Sequence, residues 1–315
     1  MPAQARNLQT TLDSLGLAWN VLSSHDLPGG TLVWLSVTPY AQDLAGADAA
    51  RDLIIGETGV VERLEVRNPC GVDVLLPGDL VLEGGRQTRV VERSVLIPAS
   101  AKVEIPVRCV EAGRWRARDS RTAQHFEVSS SVGSDTREHL TQLKKSSLRR
   151  RKRYDLDQGE VWSHVQSKLD SEELSSPTSS YSAVLEKRAG RMERARSLDV
   201  RAPAGANGVA VIRYLGSSWV EAFPSREHTS AAAAAFAADL FEPSPPPASA
   251  PSSAPPLSRA SSALRRAWAA QLVAVATPAG TSGTSFALDA DTVAGFVLLR
   301  DQRLAHLAVS VAAGA

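Results

Sequence analysis

Residues 77–115 read PGDLVLEGGRQTRVVERSVLIPASAKVEIPVRCVEAGRW. Short apolar runs, Leu80 to Leu82, Arg89 to Val91, Val95 to Ile97 and Val103 to Val110, alternate with Gly, Pro and Ser. Brief strands broken by turn residues in this way predict a sandwich or a barrel-like sheet. In the last run Val103, Ile105, Val107 and Cys109 share one face of an extended chain, so Cys109 is read as a core residue.

Working outward, the run Thr31 to Thr38 (TLVWLSVT) is a compact strand ended by Pro39, and Gly59 to Arg67 alternates until Asn68-Pro69 stops it. Gln42 to Arg51 is read as a helix between strands. Downstream, Asp135 to Arg153 is helical in composition. Gln158 to Leu169 carries Val161, Trp162, Val165 and Leu169 at helical spacing, which places Trp162 in the core, and Ser179 to Ser197 repeats the pattern. Strands are expected at Gly208 to Leu215 and Ser218 to Ala222 around a Gly216-Ser217 turn, then an alanine-rich helix from Pro224 to Leu240. A helix from Ser261 to Val275 and strands at Phe286 to Leu288, Thr292 to Arg300 and Arg303 to Val311 close the chain, with Asp301-Gln302 as a turn. The expectation is an α+β fold: a β-rich sandwich or barrel-like sheet over 1–130, a helical connector over 131–200, and a smaller C-terminal α+β unit over 201–315. The Pro/Ser/Ala-rich stretch 241–258 is read as a flexible insertion between two helices of one domain, and as a candidate docking segment for a protein partner.

Net charge is +1, which provides no global field for nucleic acid or an anionic membrane. Nucleic acid is not expected as a partner. The basic cluster Lys144, Lys145 and Arg149 to Arg153 could meet phosphates, but acidic residues follow at once and a solvated, salt-sensitive loop is the preferred reading. No apolar run has the length of a membrane span, and the polar N-terminus does not read as a secretory signal. The two cysteines, Cys70 and Cys109, lack metal-ligand spacing, and the six histidines form no HxH or HExxH pattern. GxSxG, a Walker loop and GxGxxG are all absent. No metal or cofactor is therefore expected, and the cytoplasm is the expected location.

The chemistry-bearing residues sit in the opening segment. Gly84-Gly85 permits a sharp turn or a close backbone approach. Arg86, Gln87 and Arg89 follow, two guanidinium groups flanking an amide, a set able to hold a phosphate or carboxylate bidentately. Where the last strand ends, Glu111, Arg114 and Trp115 bring a carboxylate, a guanidinium and an indole together. Trp115 can stack on a ring or plug the core. The bland alternative is a polar hairpin whose arginines pair with Asp79, Glu83 or Glu92.

These residues also carry a resemblance. The stretch from Leu80 to Trp115, with Gly84-Gly85-Arg86-Gln87 and Arg89, Ser94 to Pro98, Ile105-Pro106-Val107, Cys109-Val110-Glu111 and Gly113-Arg114-Trp115, resembles the signature of the ARPP family, the ADP-ribosylglycohydrolase- and rhodanese-phosphatase-associated domain. Asp157 to Trp162, the region Gly208 to Phe223 and Ala294 to Leu307 fit as well. The resemblance implies a setting in ADP-ribose or NAD metabolism.

Two functions are therefore carried forward. In the first, Gly84, Gly85, Arg86, Gln87, Arg89, Glu111, Arg114 and Trp115 bind a phosphorylated, nucleotide-like small molecule, with Glu111 or Glu83 as acid or base if the ligand is processed. In the second, the chain is a non-enzymatic scaffold or interaction module and the same segment is a structural hairpin.

Overall fold

A computed structural model describes residues 18–114, 125–197, 201–213, 217–241 and 256–312. The strands are, in chain order, β1 (Ala18–Leu27), β2 (Gly30–Thr38), β3 (Ile54–Glu57), β4 (Arg63–Arg67), β5 (Val74–Leu76), β6 (Leu80–Gly84), β7 (Arg89–Val91), β8 (Val95–Ile97), β9 (Lys102–Cys109) and β10 (His125–Ser131). Helices α1 (Ser134–Arg151), α2 (Gln158–Ser171) and α3 (Ser182–Ser197) follow. Then come β11 (Gly208–Arg213), β12 (Ser218–Ala222), α4 (Arg226–Leu240), α5 (Pro256–Trp268), β13 (Gln271–Val275), β14 (Thr284–Ala290), β15 (Val293–Arg300) and β16 (Arg303–Val311). No helix among the described residues is long and apolar enough to cross a membrane. Residues 242–255, which hold most of the Pro-rich stretch, and Gly216 of the expected turn lie outside the described residues.

Two compact units result: a barrel unit of residues 43–190 and 277–283, and a sheet unit of residues 1–42, 191–276 and 284–315. In the barrel unit six antiparallel strands close in the order β10-β3-β4-β9-β7-β6. The period-two pattern of β9 explains the closure: Val103, Ile105, Val107 and Cys109 are all buried. The first three join Ile55, Leu64, Val66, Leu82, Val91 and Phe126 in the barrel interior. The small pair β5–β8 adds Val74, Leu76, Val95 and Ile97 to that interior. The alternate residues Val81 and Val90 face outward and pack against Leu140 of α1 and Val161, Val165 and Leu169 of α2. Helix α2 starts where the sequence suggests, because Asp157 accepts the N–H groups of Gly159 and Glu160 as an N-cap. Trp162 is only half-buried, so the interior positions of α2 are the three aliphatics.

The sheet unit is an eight-stranded sheet in the order β1-β2-β11-β12-β16-β15-β14-β13. Strand β2 is covered on both faces, which is why Leu32 to Leu35 is a continuous apolar run instead of an alternation. Leu32 and Trp34 meet Ala233, Phe236 and Ala237 of α4 on one face. Val33, Leu35 and Val37 meet Ala263, Leu264 and Ala267 of α5 on the other. The two helices that flank the Pro-rich stretch thus pack on opposite faces of one sheet.

Four local readings differ. The helix expected to run to Val275 ends at Trp268, and Gln271–Val275 is an edge strand whose residues pair one by one with β14. Gln42 to Arg51 yields only a short 3-10 segment, Ala47–Asp52. Strand β1 emerges from residues whose Ser23-Ser24-His25 core hid the alternation, and it pairs with β2 in the eight-stranded sheet. Lys144 lies in α1 with its side chain 4% exposed, so that part of the basic cluster is not a solvated loop.

Candidate functional site

Antiparallel order brings to one end of the barrel the last residues of β3, β6 and β9 and the first residues of β4, β7 and β10. Alternation then selects the side chains that face the interior there: Glu57 follows Ile55, Arg89 precedes Val91, and Cys109 follows Val107. Arg89 and Cys109 are directly paired across β7 and β9. A sequence whose barrel interior is otherwise apolar therefore places a carboxylate, a guanidinium and a thiol at one end.

The Gly84-Gly85 turn between β6 and β7 closes over this end. Gly84 has φ +134° and a Cβ there would stand 2.2 Å from the His125 carbonyl oxygen. Gly85 has φ +48°, and its Cβ would stand 2.2 Å from the Phe126 ring and 2.7 Å from Glu57 Oε1. Both positions therefore demand glycine on conformational and steric grounds. The turn wraps around Phe126 and the Glu57 carboxylate, and the N–H of Arg86 donates to Glu57 Oε1 at 3.0 Å. The Arg86 side chain is exposed.

Glu111 occupies the other backbone donor of the turn. Its Oε2 accepts from the Thr88 N–H at 2.9 Å and the Thr88 hydroxyl at 3.1 Å, and from Arg114 Nη2 at 2.8 Å. Its Oε1 accepts from Arg114 Nε at 2.9 Å and from the Thr178 hydroxyl at 2.7 Å. Arg114 in turn donates to the carbonyls of Gly85 at 2.8 Å and Gly84 at 3.3 Å. Burial alone would raise the Glu111 carboxyl, but the Arg114, Thr88 and Thr178 hydrogen bonds and the Arg114 charge bring it down to about 2. A carboxylate so placed stays ionised and has both oxygens engaged, the attributes of a brace instead of an acid or base.

Gln87 links the brace to Arg89. Its Nε2 donates to the Glu111 carbonyl at 2.8 Å, while its Oε1 accepts from Arg89 Nη1 at 3.1 Å and from Cys109 Sγ at 3.2 Å. Burial pushes the Cys109 thiol up to about 11 against the pull of Arg89, so it is a protonated donor and not a nucleophile. Arg89 is 2% exposed. Its Nη1 also donates to the Gln87 carbonyl at 3.2 Å. Its Nε has no hydrogen-bond partner among the described residues, and its Nη2 reaches only to 4.0 Å from Glu57 Oε1.

The structure thus brings together Gly84, Gly85, Gln87, Arg89, Glu111 and Arg114, while the Arg86 side chain is exposed and Trp115 lies outside the described residues. The carboxylates that meet these arginines are Glu57 and Glu111. Asp79, Glu83 and Glu92 are engaged elsewhere. Asp79 pairs with Lys144 at 3.3 Å, Glu92 with Arg108 at 3.0 Å, and Glu83 accepts from the Ser182 hydroxyl. Sequence reasoning missed Glu57 and Thr178, which are remote in the chain and sit in no recognisable pattern. Among the described residues no cluster of three or more His, Cys, Asp and Glu side chains can hold a metal ion.

A family model described as the ARG and Rhodanese-Phosphatase-superfamily-associated Protein domain matches residues 38–310. No curated protein and no solved structure matches the chain.

Proposed function

Because the chain belongs to the ARPP family, we propose that it binds or processes a phosphorylated metabolite of the ADP-ribose or NAD type at the Gly84–Thr88 end of its barrel, with Arg89 as the receptor for the anion. One observation carries this reading: a guanidinium 2% exposed leaves its Nε without a hydrogen-bond partner among the described residues and its Nη2 only loosely paired. Buried donors of this strength are normally satisfied, and an undersatisfied one is costly unless something else completes it. A phosphate or carboxylate presents two oxygens to the Nε–Nη2 edge of such a group. In this reading Glu111, Arg114 and Gln87 hold Arg89 in place and do not touch the ligand. The proposed setting is the cytoplasm, where the two free thiols stay reduced.

Isothermal titration with ADP-ribose and with NAD tests the proposal. Wild-type protein is expected to bind, and Arg89→Met to bind about tenfold to a hundredfold more weakly, the scale of one charge-assisted hydrogen-bonded contact. No binding of either compound, or binding indifferent to Arg89→Met, overturns it.

The second reading, a non-enzymatic scaffold, is favoured by the completeness of the Glu111–Arg114 lattice, which has no donor or acceptor to spare for a ligand on Glu111. It predicts the null titration together with an Arg89→Met protein that is destabilised, as loss of a structural residue would be.

A further inference from the structure

The turn that the sequence marks as an anion seat already holds an anion, and the anion is the protein's own. Glu57 Oε1 takes the Arg86 N–H at 3.0 Å and lies 4.0 Å from Arg89 Nη2. Gly85 is shaped to that carboxylate, since any Cβ at position 85 would come within 2.7 Å of Glu57 Oε1. We infer that Glu57 is a displaceable internal ligand, which occupies the seat in the empty protein and is pushed aside when the anionic group of a metabolite binds Arg89. This inference rests on the function proposed above.

The two glutamates at this turn show why Glu57 is the exchangeable one. The Glu111 side chain is fully buried and receives hydrogen bonds on both oxygens from three residues. The Glu57 side chain is 15% exposed, and the Arg86 N–H is its one hydrogen bond among the described residues. Its approach to Arg89 is too long for a hydrogen bond, so it compensates the guanidinium charge without satisfying the N–H groups. A ligand oxyanion that reaches Nε and Nη2 directly makes contacts that Glu57 does not make. Entry must still overcome the Glu57 charge, so part of the intrinsic affinity is withheld from every ligand, and the withheld part is largest for the most anionic one. The class of group admitted is the one Glu57 imitates: a phosphate or carboxylate with two free oxygens. A neutral nucleoside has nothing to offer at this seat.

The test is titration of ADP-ribose, with inorganic phosphate and adenosine as separate arms, into wild type, Glu57→Gln and Glu57→Asp, each checked by thermal unfolding. Glutamine keeps an acceptor for the Arg86 N–H and removes the charge. The expected result is about tenfold tighter binding of ADP-ribose to Glu57→Gln, a smaller gain for Glu57→Asp, whose shorter carboxylate retreats from Arg89, a parallel gain for phosphate, and none for adenosine. Wild-type binding that is unchanged or weakened in Glu57→Gln overturns the displacement while leaving the proposed function standing. If Glu57→Gln does not fold, unchanged or weaker binding to Glu57→Asp overturns it equally. Absence of binding to all three proteins removes the proposed function, and this inference with it.

Discussion

Two glutamate–arginine pairs stand at the same end of the barrel and are built to opposite specifications. In the Glu111–Arg114 pair the two groups meet at 2.8 and 2.9 Å, and the remaining donors and acceptors reach Thr88, Thr178, Gly84 and Gly85. In the Glu57–Arg89 pair the nearest approach is 4.0 Å and Arg89 Nε goes without a hydrogen-bond partner among the described residues. Both arginines are well buried, so solvent does not make up the difference. A buried ion pair stabilises only when its geometry is good and its other hydrogen bonds are met. The first pair meets that condition and holds the turn. The second does not, and its incompleteness has to be explained by something other than stability.

Breaking the complete pair has the largest expected effect. Glu111→Ala strands Arg114, the Thr88 amide and the Thr178 hydroxyl together, and should cost about 3–5 kcal/mol in urea unfolding. A loss under about 1 kcal/mol would show that the lattice is not what holds the turn. Acid should reach the same pair without mutation. The Glu111 carboxyl is held at about 2 in the fold against 4.5 as its ordinary value. A carboxyl depressed on folding contributes stability that is full above about pH 4.5 and is lost as pH falls toward about 2, on the order of 3 kcal/mol. Wild-type stability should drop through that window, and Glu111→Gln should drop less. Equal slopes for the two proteins would assign the acid loss to other carboxylates.

How far this contrast can be read in the sequence depends on distance along the chain. The turn itself was legible, because Gly84-Gly85 before Arg86, Gln87 and Arg89 announces a special backbone, and the alternation of β9 told which side Cys109 would take. The short runs between Pro77 and Val110 pointed to a sandwich or a barrel-like sheet, and the strand register decides for the barrel. Strand β10 was not legible, since the apolar alternation of His125–Ser131 is only Phe126 and Val128 before three serines. Glu57 was invisible for a different reason. It lies 29 residues from the amide it binds, and only the pairing of β10 with both β3 and β6 brings it there. Residue types located the arginines, and their partners became knowable only with the barrel's register.

Gly85→Ala sharpens the comparison at intermediate cost. The added methyl would collide with the Phe126 ring and with Glu57 Oε1 while holding φ at +48°, and should destabilise by about 2 kcal/mol. It meets the Glu111 lattice only through the Gly85 carbonyl, which accepts from Arg114 at 2.8 Å, and the methyl itself points at Phe126 and Glu57. The turn would therefore loosen around Glu57 while the brace persists, and the acid profile below pH 4.5 should keep its wild-type slope. A flattened profile would mean the two pairs are one cooperative structure.

Arg89→Met gives the smallest stability change and the most telling sign. Removing one member of a complete buried pair leaves its partner uncompensated, and for that reason Arg114→Met should be destabilising by about 3 kcal/mol. Arg89 has little to lose: Glu57 keeps its Arg86 amide, Gln87 keeps the Glu111 carbonyl and the Cys109 thiol, and a methionine of similar length fills the same interior space beside Val91 and Val107. Replacing a poorly compensated charge by a well-packed apolar side chain is neutral or stabilising, here by 0 to about 1 kcal/mol. Urea unfolding of Arg89→Met and Arg114→Met side by side decides it. If Arg89→Met proves as costly as Arg114→Met, Arg89 is a structural residue like its neighbour. If it is neutral, the fold carries a buried guanidinium that it does not need for stability, and binding is the reason that remains.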